Sequence, residues 1–141
     1  MDVASASLIR RQVMEMARRL RREADADEES WSRLLLLGAI DRYGEDATPG
    51  TLAAAEGLRS SNLAKALKEL EAAGLITRRP DRDDRRRVRV ALTGEGQRAL
   101  DAVRGRRDRW LAAAIGTTLT EQERATLVAA ADLLSRLARA P

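Results

Sequence analysis

Hydrophobic residues recur along this chain with a spacing that predicts several amphipathic helices and one pair of strands. Residues 5–24 carry apolar side chains three or four positions apart, as do the residues of about 94–115 and those that follow position 120. Within residues 88–92, every second position is a large apolar residue, which is the period of a half-buried strand. We therefore expect a mainly α fold with a small β-hairpin.

Start and stop signals separate the helical segments. Ser30 is placed to cap a second helix, which Gly44 would end. Thr93 is placed to cap the long helix of about 94–115. The segment Thr120–Glu123 has the sequence of a capping box and predicts the start of the last helix.

Two short helices and a hairpin form the centre of the chain. Thr48–Pro49 combines an N-cap hydroxyl with a proline at the first helical position, and it predicts a short helix that ends before Gly57. A second helix follows over about 60–73, and residues 75–77 and 88–92 then supply two strands. Two short helices joined through a glycine turn are typical of a helix-turn-helix.

The positive charge is concentrated in the turn between the two strands. Residues 78–89 hold seven arginines and three aspartates, a local net charge of +4, and the whole chain also has a net charge of +4. The remaining residues therefore sum to zero. Such a concentration of arginine favours contact with the phosphates of a nucleic acid, because it releases their counterions. The alternative is a solvated run of charge without a partner.

Composition excludes several classes of function. The chain contains neither cysteine nor histidine, so disulfides, zinc sites of the usual kind and histidine-based acid–base catalysis are not expected. We expect no cofactor, no metal site and no enzymatic activity. The longest apolar run, Leu34–Ile40, is too short to span a bilayer, which predicts a soluble cytoplasmic protein that associates with the nucleoid when it binds DNA.

Three segments of this chain resemble the MarR family of bacterial transcriptional regulators. They are residues 48–58, residues 67–76 and residues 79–96, and the last is the most specific, because an Asp-Arg-Arg tip is followed by a strand, Leu-Thr and the glycine-containing start of a helix. The resemblance extends over essentially the whole chain. It implies a winged helix-turn-helix that binds double-stranded DNA.

The resemblance also implies a homodimer and one domain of residues 1–141, in which different segments bind DNA and form the dimer. Residues 30–93 would form the DNA-binding lobe, and residues 1–24 and 94–141 would supply dimerisation helices. Apolar stripes at both ends of the chain agree with burial against a second copy. The alternative is that these stripes bury one another within one chain.

Two positions depart from the family pattern. Arg59 stands where the family has a serine or threonine that caps the recognition helix. Either Ser60 or Ser61 caps the helix instead, or Arg59 is an additional phosphate contact. In the wing, Asp81-Arg82 stands where the family has Asp-Pro, which adds one cation to the loop.

The predicted DNA-binding residues lie on the recognition helix and on the wing. Asn62 and Lys65 are expected to face base edges, since asparagine pairs with adenine and lysine reaches guanine or phosphate. Ser60 and Ser61 are expected to bind phosphate through hydroxyls and helix-end amides. A solubilising polar face is the alternative interpretation. The complete prediction comprises Arg59, Ser60, Ser61, Asn62, Lys65, Lys68, Arg82, Asp84, Arg85, Arg86 and Arg87.

The wing tip contains the Asp-x-Arg pattern of the family in Asp84 and Arg86. A carboxylate can hold a neighbouring guanidinium extended, so that the guanidinium enters the minor groove preorganised. Arg85 and Arg87 would then face phosphates. Which arginine enters the groove is not decided by the sequence, because a shift of one residue in register exchanges the two sets.

Members of the family often bind small aromatic anions, so we also consider an effector site. Trp31 and the Leu34–Leu37 run could line a cleft, with Arg10, Arg11 or Arg33 supplying charge. Ordinary packing of these side chains is the alternative. The predicted effector-binding residues are Arg10, Trp31, Leu35 and Trp110.

These observations predict a homodimeric, ligand-responsive repressor that binds an inverted-repeat operator and has no membrane partner. A non-specific architectural DNA-binding protein is the alternative of another class. An enzyme that uses only carboxylates and serine is a third possibility, which no cluster of residues in the sequence supports.

Overall fold

The computed structural model describes all 141 residues as six α-helices and one antiparallel hairpin, which confirms the predicted fold class. A short 3-10 helix, Gly44–Asp46, follows the second α-helix. The elements are α1 (Val3–Glu23), α2 (Glu28–Tyr43), α3 (Pro49–Glu56), α4 (Ser60–Ala72), β1 (Ile76–Pro80), β2 (Val88–Leu92), α5 (Gly94–Thr118) and α6 (Glu121–Ala138).

The chain forms two compact units, Met1–Arg106 and Arg107–Pro141, and α5 contributes residues to both. The single domain predicted over residues 1–141 stays a prediction. None of the helices combines the length and the hydrophobicity that a bilayer crossing requires.

The core of the first unit lies where α2, α3 and α4 meet the hairpin and the start of α5. Its members are aliphatic, in agreement with an aromatic content of 2%. Burial of such side chains is the main stabilising contribution to the fold. The largest fully buried side chains are Leu37, Ile40, Leu52, Leu63, Leu67, Leu70, Ile76, Val90 and Leu100.

Local signals set the ends of α3 as predicted. The Thr48 hydroxyl accepts a hydrogen bond from the Thr51 amide, and the Thr51 hydroxyl accepts one from the Thr48 amide, so two helix-end donors are satisfied. Gly57 follows the helix with φ 62°, a left-handed conformation that glycine adopts at low cost. The turn at Gly57 leads directly into α4.

In the second unit, the predicted capping box at the start of α6 is confirmed. The Thr120 hydroxyl accepts from the Glu123 amide, and the Glu123 carboxylate accepts from the Thr120 amide. The guanidinium of Arg124 donates to the carbonyls of Leu119 and Gly116, at 3.0 and 2.6 Å. These bonds satisfy carbonyl groups at the end of α5.

The predicted start of α2 at a Ser30 cap was wrong. The helix begins at Glu28, and the carboxylate of Asp27 accepts a hydrogen bond from the Ser30 amide at 2.7 Å. This hydrogen bond from Ser30 lowers the pKa of Asp27, which therefore stays charged at the positive end of the helix dipole. Two other helix limits also differ from the prediction: α1 begins at Val3 rather than near residue 5, and α5 continues to Thr118.

The first strand is longer than predicted. It runs from Ile76 to Pro80, and Pro80 pairs with Val88, so Arg78 and Arg79 belong to the strand and not to the tip. The predicted inward alternation of β2 holds for Val90, which is fully buried, but Val88 remains 38% exposed at the loop end of the hairpin.

Thr93 joins the hairpin to α5 as a helix cap. Its hydroxyl donates to the Gly74 carbonyl at 2.6 Å and accepts from the Gly96 amide at 3.1 Å. Gly96 is buried against the backbone of Leu75, and a Cβ atom at position 96 would lie 3.0 Å from the carbonyl carbon of Leu75 and overlap its oxygen. This close backbone contact requires glycine.

Candidate nucleic-acid interface

The two faces of α4 differ sharply in polarity. Leu63, Leu67 and Leu70 are buried and hold the helix on the core. All the residues of α4 that were predicted to bind DNA are exposed to solvent, and none of them forms an ion pair. They are Ser60, Ser61, Asn62, Lys65 and Lys68, with Arg59 directly before them.

The predicted serine cap of α4 was wrong. The helix begins at Ser60, so Arg59 occupies the N-cap position, with φ −67° and ψ 146°, and no side chain accepts a hydrogen bond from the first turn. The first amide groups of α4 therefore keep their hydrogen-bonding capacity for an anion, which the helix dipole also favours. The remaining alternative, that Arg59 contacts phosphate, stays a prediction.

A salt bridge joins α4 to the hairpin. The guanidinium of Arg78 on β1 donates to the carboxylate of Glu71 on α4 at 2.9 Å. This hydrogen bond raises the pKa of Arg78 and lowers the pKa of Glu71. The Leu75 amide also donates to the Leu70 carbonyl at 3.0 Å, which closes the turn after α4. The recognition helix and the wing are therefore joined by a salt bridge and by a short closed turn.

Asp84 holds Arg86 at the tip of the wing, as the sequence pattern suggested. One carboxylate oxygen of Asp84 accepts from the Arg86 backbone amide at 3.0 Å and from Arg86 Nε at 3.2 Å. The side chain of Arg86 is nevertheless 93% exposed. Its two Nη groups thus extend into solvent while the Nε side is fixed to the loop.

A second carboxylate, that of Asp81, organises the base of the tip. It accepts from the Asp83 amide at 2.9 Å and lies 3.9 Å from Arg87 Nε. The Asp83 hydrogen bond, followed by the charge of Arg89, lowers the pKa of Asp81. The Asp81 amide in turn donates to the Arg87 carbonyl at 2.8 Å, so residues 81–87 form a closed loop.

The arginines of residues 78–89 do not form one uniform DNA-facing group. Arg78 is bound to Glu71, and Arg89 donates from Nε and Nη2 to the Glu45 carbonyl at 3.3 and 3.2 Å. These two residues anchor the hairpin to the rest of the lobe. Arg79, Arg82 and Arg85 are exposed and form no ion pair. Arg79 was not among the residues predicted to bind DNA, and it lies on β1, which continues to Pro80.

Comparison with known proteins agrees with this architecture. The sequence model of the MarR family matches residues 30–87. An uncharacterised HTH-type transcriptional regulator of Mycobacterium bovis is 33% identical over 136 residues, which are 96% of this chain and 94% of that protein. The chain belongs to the MarR family of transcriptional regulators. Its winged helix-turn-helix is the DNA-binding fold of that family.

Solved structures of other regulators share the fold of this MarR-family chain. A candidate transcriptional regulator of Pseudomonas aeruginosa is 51% identical, with a TM-score of 0.88 over 99% of this chain and 96% of that one. A mutant of S. aureus MepR bound to an oligodeoxyribonucleotide is 24% identical, with a TM-score of 0.62 over 96% of this chain and 99% of that one.

Of the four residues predicted to bind an effector in this MarR-family protein, one lines a cavity between α2, α3 and α4. Leu35 lines this cavity of about 320 Å³, and Arg33 lies at its rim. Trp31 is half-buried outside this cavity, with the Arg21 guanidinium 5.9 Å from its ring centre. Arg10 is exposed on α1, and Trp110 is half-buried on α5 within the second unit. Their role in binding a ligand stays a prediction.

Proposed function

We propose that this MarR-family protein is a repressor that binds an inverted-repeat operator as a homodimer and releases it on binding a small ligand. The observation that carries the proposal is that two exposed polar and basic surfaces lie on elements that are joined to each other. The polar face of α4 and the Arg86 tip belong to the helix and the hairpin that the Arg78–Glu71 salt bridge joins. Such a pair of surfaces fits two neighbouring grooves of one duplex.

Each surface has a distinct role in the proposed complex. Asn62 and Lys65 read base edges in the major groove, and Ser60 and Ser61 bind phosphate at the start of α4. Arg86 enters the narrow minor groove, where its fixed Nε side leaves both Nη groups available to acceptors. The S. aureus MepR mutant, which shares this fold, is bound to an oligodeoxyribonucleotide, and this supports DNA as the ligand.

The outer helices support the homodimer. Neither α1 nor α6 buries a single residue within the chain. Ile9, Val13 and Met16 follow helical spacing on α1 and are all at least 39% exposed. On α6, Leu127, Leu134 and Leu137 likewise share one face and remain exposed. Apolar helix faces of this kind are typical of surfaces that a second copy covers.

The cavity between α2, α3 and α4 is the best-supported place for an effector. Leu35, Leu36, Leu58 and Leu70 supply an apolar lining that suits an aromatic ring. The charges at its rim do not favour an anion, because three glutamates lie there and the one cation, Arg33, is paired with a glutamate. We therefore favour a neutral or cationic aromatic ligand at this cavity. The glutamates are Glu29, Glu56 and Glu69.

Selection of bound sequences from a random DNA pool tests the proposal directly. We expect an enriched motif with two-fold symmetry whose half-site centres lie about 34 Å, one helical turn, apart or at a multiple of that distance. Competition with unselected DNA then measures specificity. A preference of roughly 10³ or more for the enriched motif supports a regulator, whereas equal binding of all sequences would indicate an architectural DNA-binding protein.

A further inference from the structure

The hairpin has an outer face whose role is so far unassigned. Thr77 pairs with Ala91 and Arg79 pairs with Arg89 across the two strands. Since side chains alternate between the faces of a strand, these four residues lie on the face opposite to Arg78, which points to Glu71. A concavity of about 330 Å³ opens at this outer face. Its lining also includes Gly44, Glu45, Pro80, Arg82 and Val90.

The register places two arginines directly opposite each other. The Val90 amide donates outside the ladder, to the Ala47 carbonyl at 2.9 Å. The Arg78–Val90 pair is therefore a non-hydrogen-bonded pair, and the next pair, Arg79–Arg89, is a hydrogen-bonded one with Cβ atoms about 5.5 Å apart. Like charges in this position repel, unless an anion lies between them.

The three guanidinium groups at the concavity are neutralised unequally. Arg89 is fixed by the Glu45 carbonyl, and its Nη2 lies 3.5 Å from the Glu45 carboxylate. Arg79 and Arg82 are exposed and have no ion pair. The lining thus contains three cations and one carboxylate. The nearby carboxylate of Asp81 is engaged by the Asp83 amide and Arg87.

We propose that this concavity is a phosphate-binding site, with Arg89 as its fixed wall and Arg79 and Arg82 as the groups that close on the anion. Guanidinium groups present planar pairs of donors that match phosphate oxygens. The phosphate belongs either to the DNA backbone beside the wing or to a small phosphate-bearing molecule. The first source rests on the proposed function, and the second does not.

Titration with inorganic phosphate tests the site itself. Nuclear magnetic resonance of the ¹⁵N-labelled protein follows the amides of Val90 and Ala91 and the Arg79 Nε–H while potassium phosphate replaces potassium chloride at constant ionic strength. We expect saturable shifts in the wild type, and their loss in Arg79→Gln. Arg98→Gln is the matched control, because Arg98 is an exposed arginine on α5 without an ion pair.

Binding of the selected operator at several salt concentrations separates the two sources. If the phosphate is that of DNA, Arg79→Gln weakens binding and reduces the slope of log K against log salt by about one unit, while Arg98→Gln does not. If inorganic phosphate causes saturable chemical-shift changes in the wild type but Arg79→Gln leaves the salt slope of DNA binding unchanged, the site binds a small phosphate-bearing molecule. Absence of both effects would overturn the inference. If the wild-type protein binds DNA without sequence preference, only the proposed function is refuted. The phosphate titration would still show whether the concavity binds phosphate.

Discussion

At the scale of single residues, the arginines of the hairpin differ in what restrains them. Arg78 and Arg89 hold the hairpin in place through Glu71 and Glu45, whereas Arg86 is held on one side only and is free on the other. An exposed arginine normally loses side-chain entropy when it binds. Because Asp84 already restricts Arg86, less of this entropy remains to be lost on binding DNA.

Replacement of Arg86 tests whether this residue binds DNA, in contrast to Arg78 and Arg89, which hold the hairpin in place. We expect Arg86→Ala to weaken operator binding and to flatten the slope of log K against log salt by about one unit, as for a lost phosphate or groove contact. Fluorescence anisotropy with labelled operator at several salt concentrations provides the measurement, with Arg98→Ala as the control for net charge. If Arg86→Ala matches the wild type at every salt concentration, the wing does not bind DNA through this residue.

Gly96 gives a second prediction at this scale. A methyl group at this position would overlap the Leu75 carbonyl oxygen, and the overlap is relieved only by a backbone shift, because the Cβ has no rotamer freedom and the oxygen belongs to the backbone. We expect Gly96→Ala to lower the free energy of unfolding by about 1–3 kcal/mol. Gly50→Ala is the control, because an added Cβ at position 50 meets no atom within 4 Å. Equal urea midpoints for the two variants would contradict the close packing at Gly96.

At the scale of the elements, the sequence predicted best what is decided by neighbours in the chain. The caps at Thr48 and Thr120 depend on residues three positions away, and both are present. The extension of β1 to Pro80 depends on pairing with Val88 across the loop, so local pattern could not reveal it. The start of α2 was missed because both Asp27 and Ser30 are capping residues, and only the fold selects between them.

The missing cap of α4 leads to a prediction that separates stability from function. Arg59 has the extended backbone of an N-cap residue but supplies no acceptor. We expect Arg59→Ser to raise the free energy of unfolding by about 0.5–2 kcal/mol, since serine can accept from the first turn. The same change should weaken DNA binding if Arg59 contacts phosphate. Chemical denaturation measures the change in stability, and operator binding measures the change in affinity for DNA. An unchanged affinity at every salt concentration would exclude Arg59 from the interface.

The Arg78–Glu71 salt bridge between α4 and the hairpin should make the stability of the fold depend on pH. The pKa of Glu71 is lowered below its ordinary value of 4.5, first by the hydrogen bond from Arg78. A lowered pKa means that the carboxylate stabilises the fold above its unfolded-state pKa and that this contribution is lost as the pH falls through the folded-state pKa. We expect Glu71→Gln to be less stable than the wild type at pH 7, with the difference closing below about pH 4.5.

Urea unfolding at pH 7, 5 and 4 measures this difference. Glu69→Gln is the matched control, because Glu69 is exposed on the same helix and forms no ion pair. The lowered pKa values of Asp2, Asp27 and Asp81 affect wild type and variant equally and therefore cancel. A difference that is the same at all three pH values would contradict the assigned role of the Glu71 carboxylate.

At the scale of the whole molecule, the sequence predicted the winged helix-turn-helix but not which of its arginines support the structure. Arg89 is anchored to Glu45, 44 positions away in sequence, so no local pattern could separate it from Arg86. Local sequence pattern was equally unable to show which of the residues predicted to bind an effector line one cavity. Leu35 and Arg33 both line one cavity, whereas Trp31 and Arg10 do not line it.

The whole proposed DNA complex depends on assembly of two chains into a dimer. Leu134 is not a core residue of a single chain, since it is 44% exposed and α6 has no buried residue. Leu134→Asp should therefore leave the fold of a single chain intact. In a dimer that covers this face, the same carboxylate would be desolvated without a partner, at a cost of several kcal/mol.

We expect light scattering after size exclusion to report the mass of two chains for the wild type and of one chain, 15.5 kDa, for Leu134→Asp at micromolar concentration. Ala125→Asp places a carboxylate on the opposite face of α6 and should remain dimeric. Because a monomer contacts one half-site instead of two, Leu134→Asp should also lose most of its affinity for the full operator and bind single half-sites weakly. A variant that keeps both the dimer mass and the operator affinity would show that α6 lies outside the interface, and the dimerisation face would then have to be sought on α1.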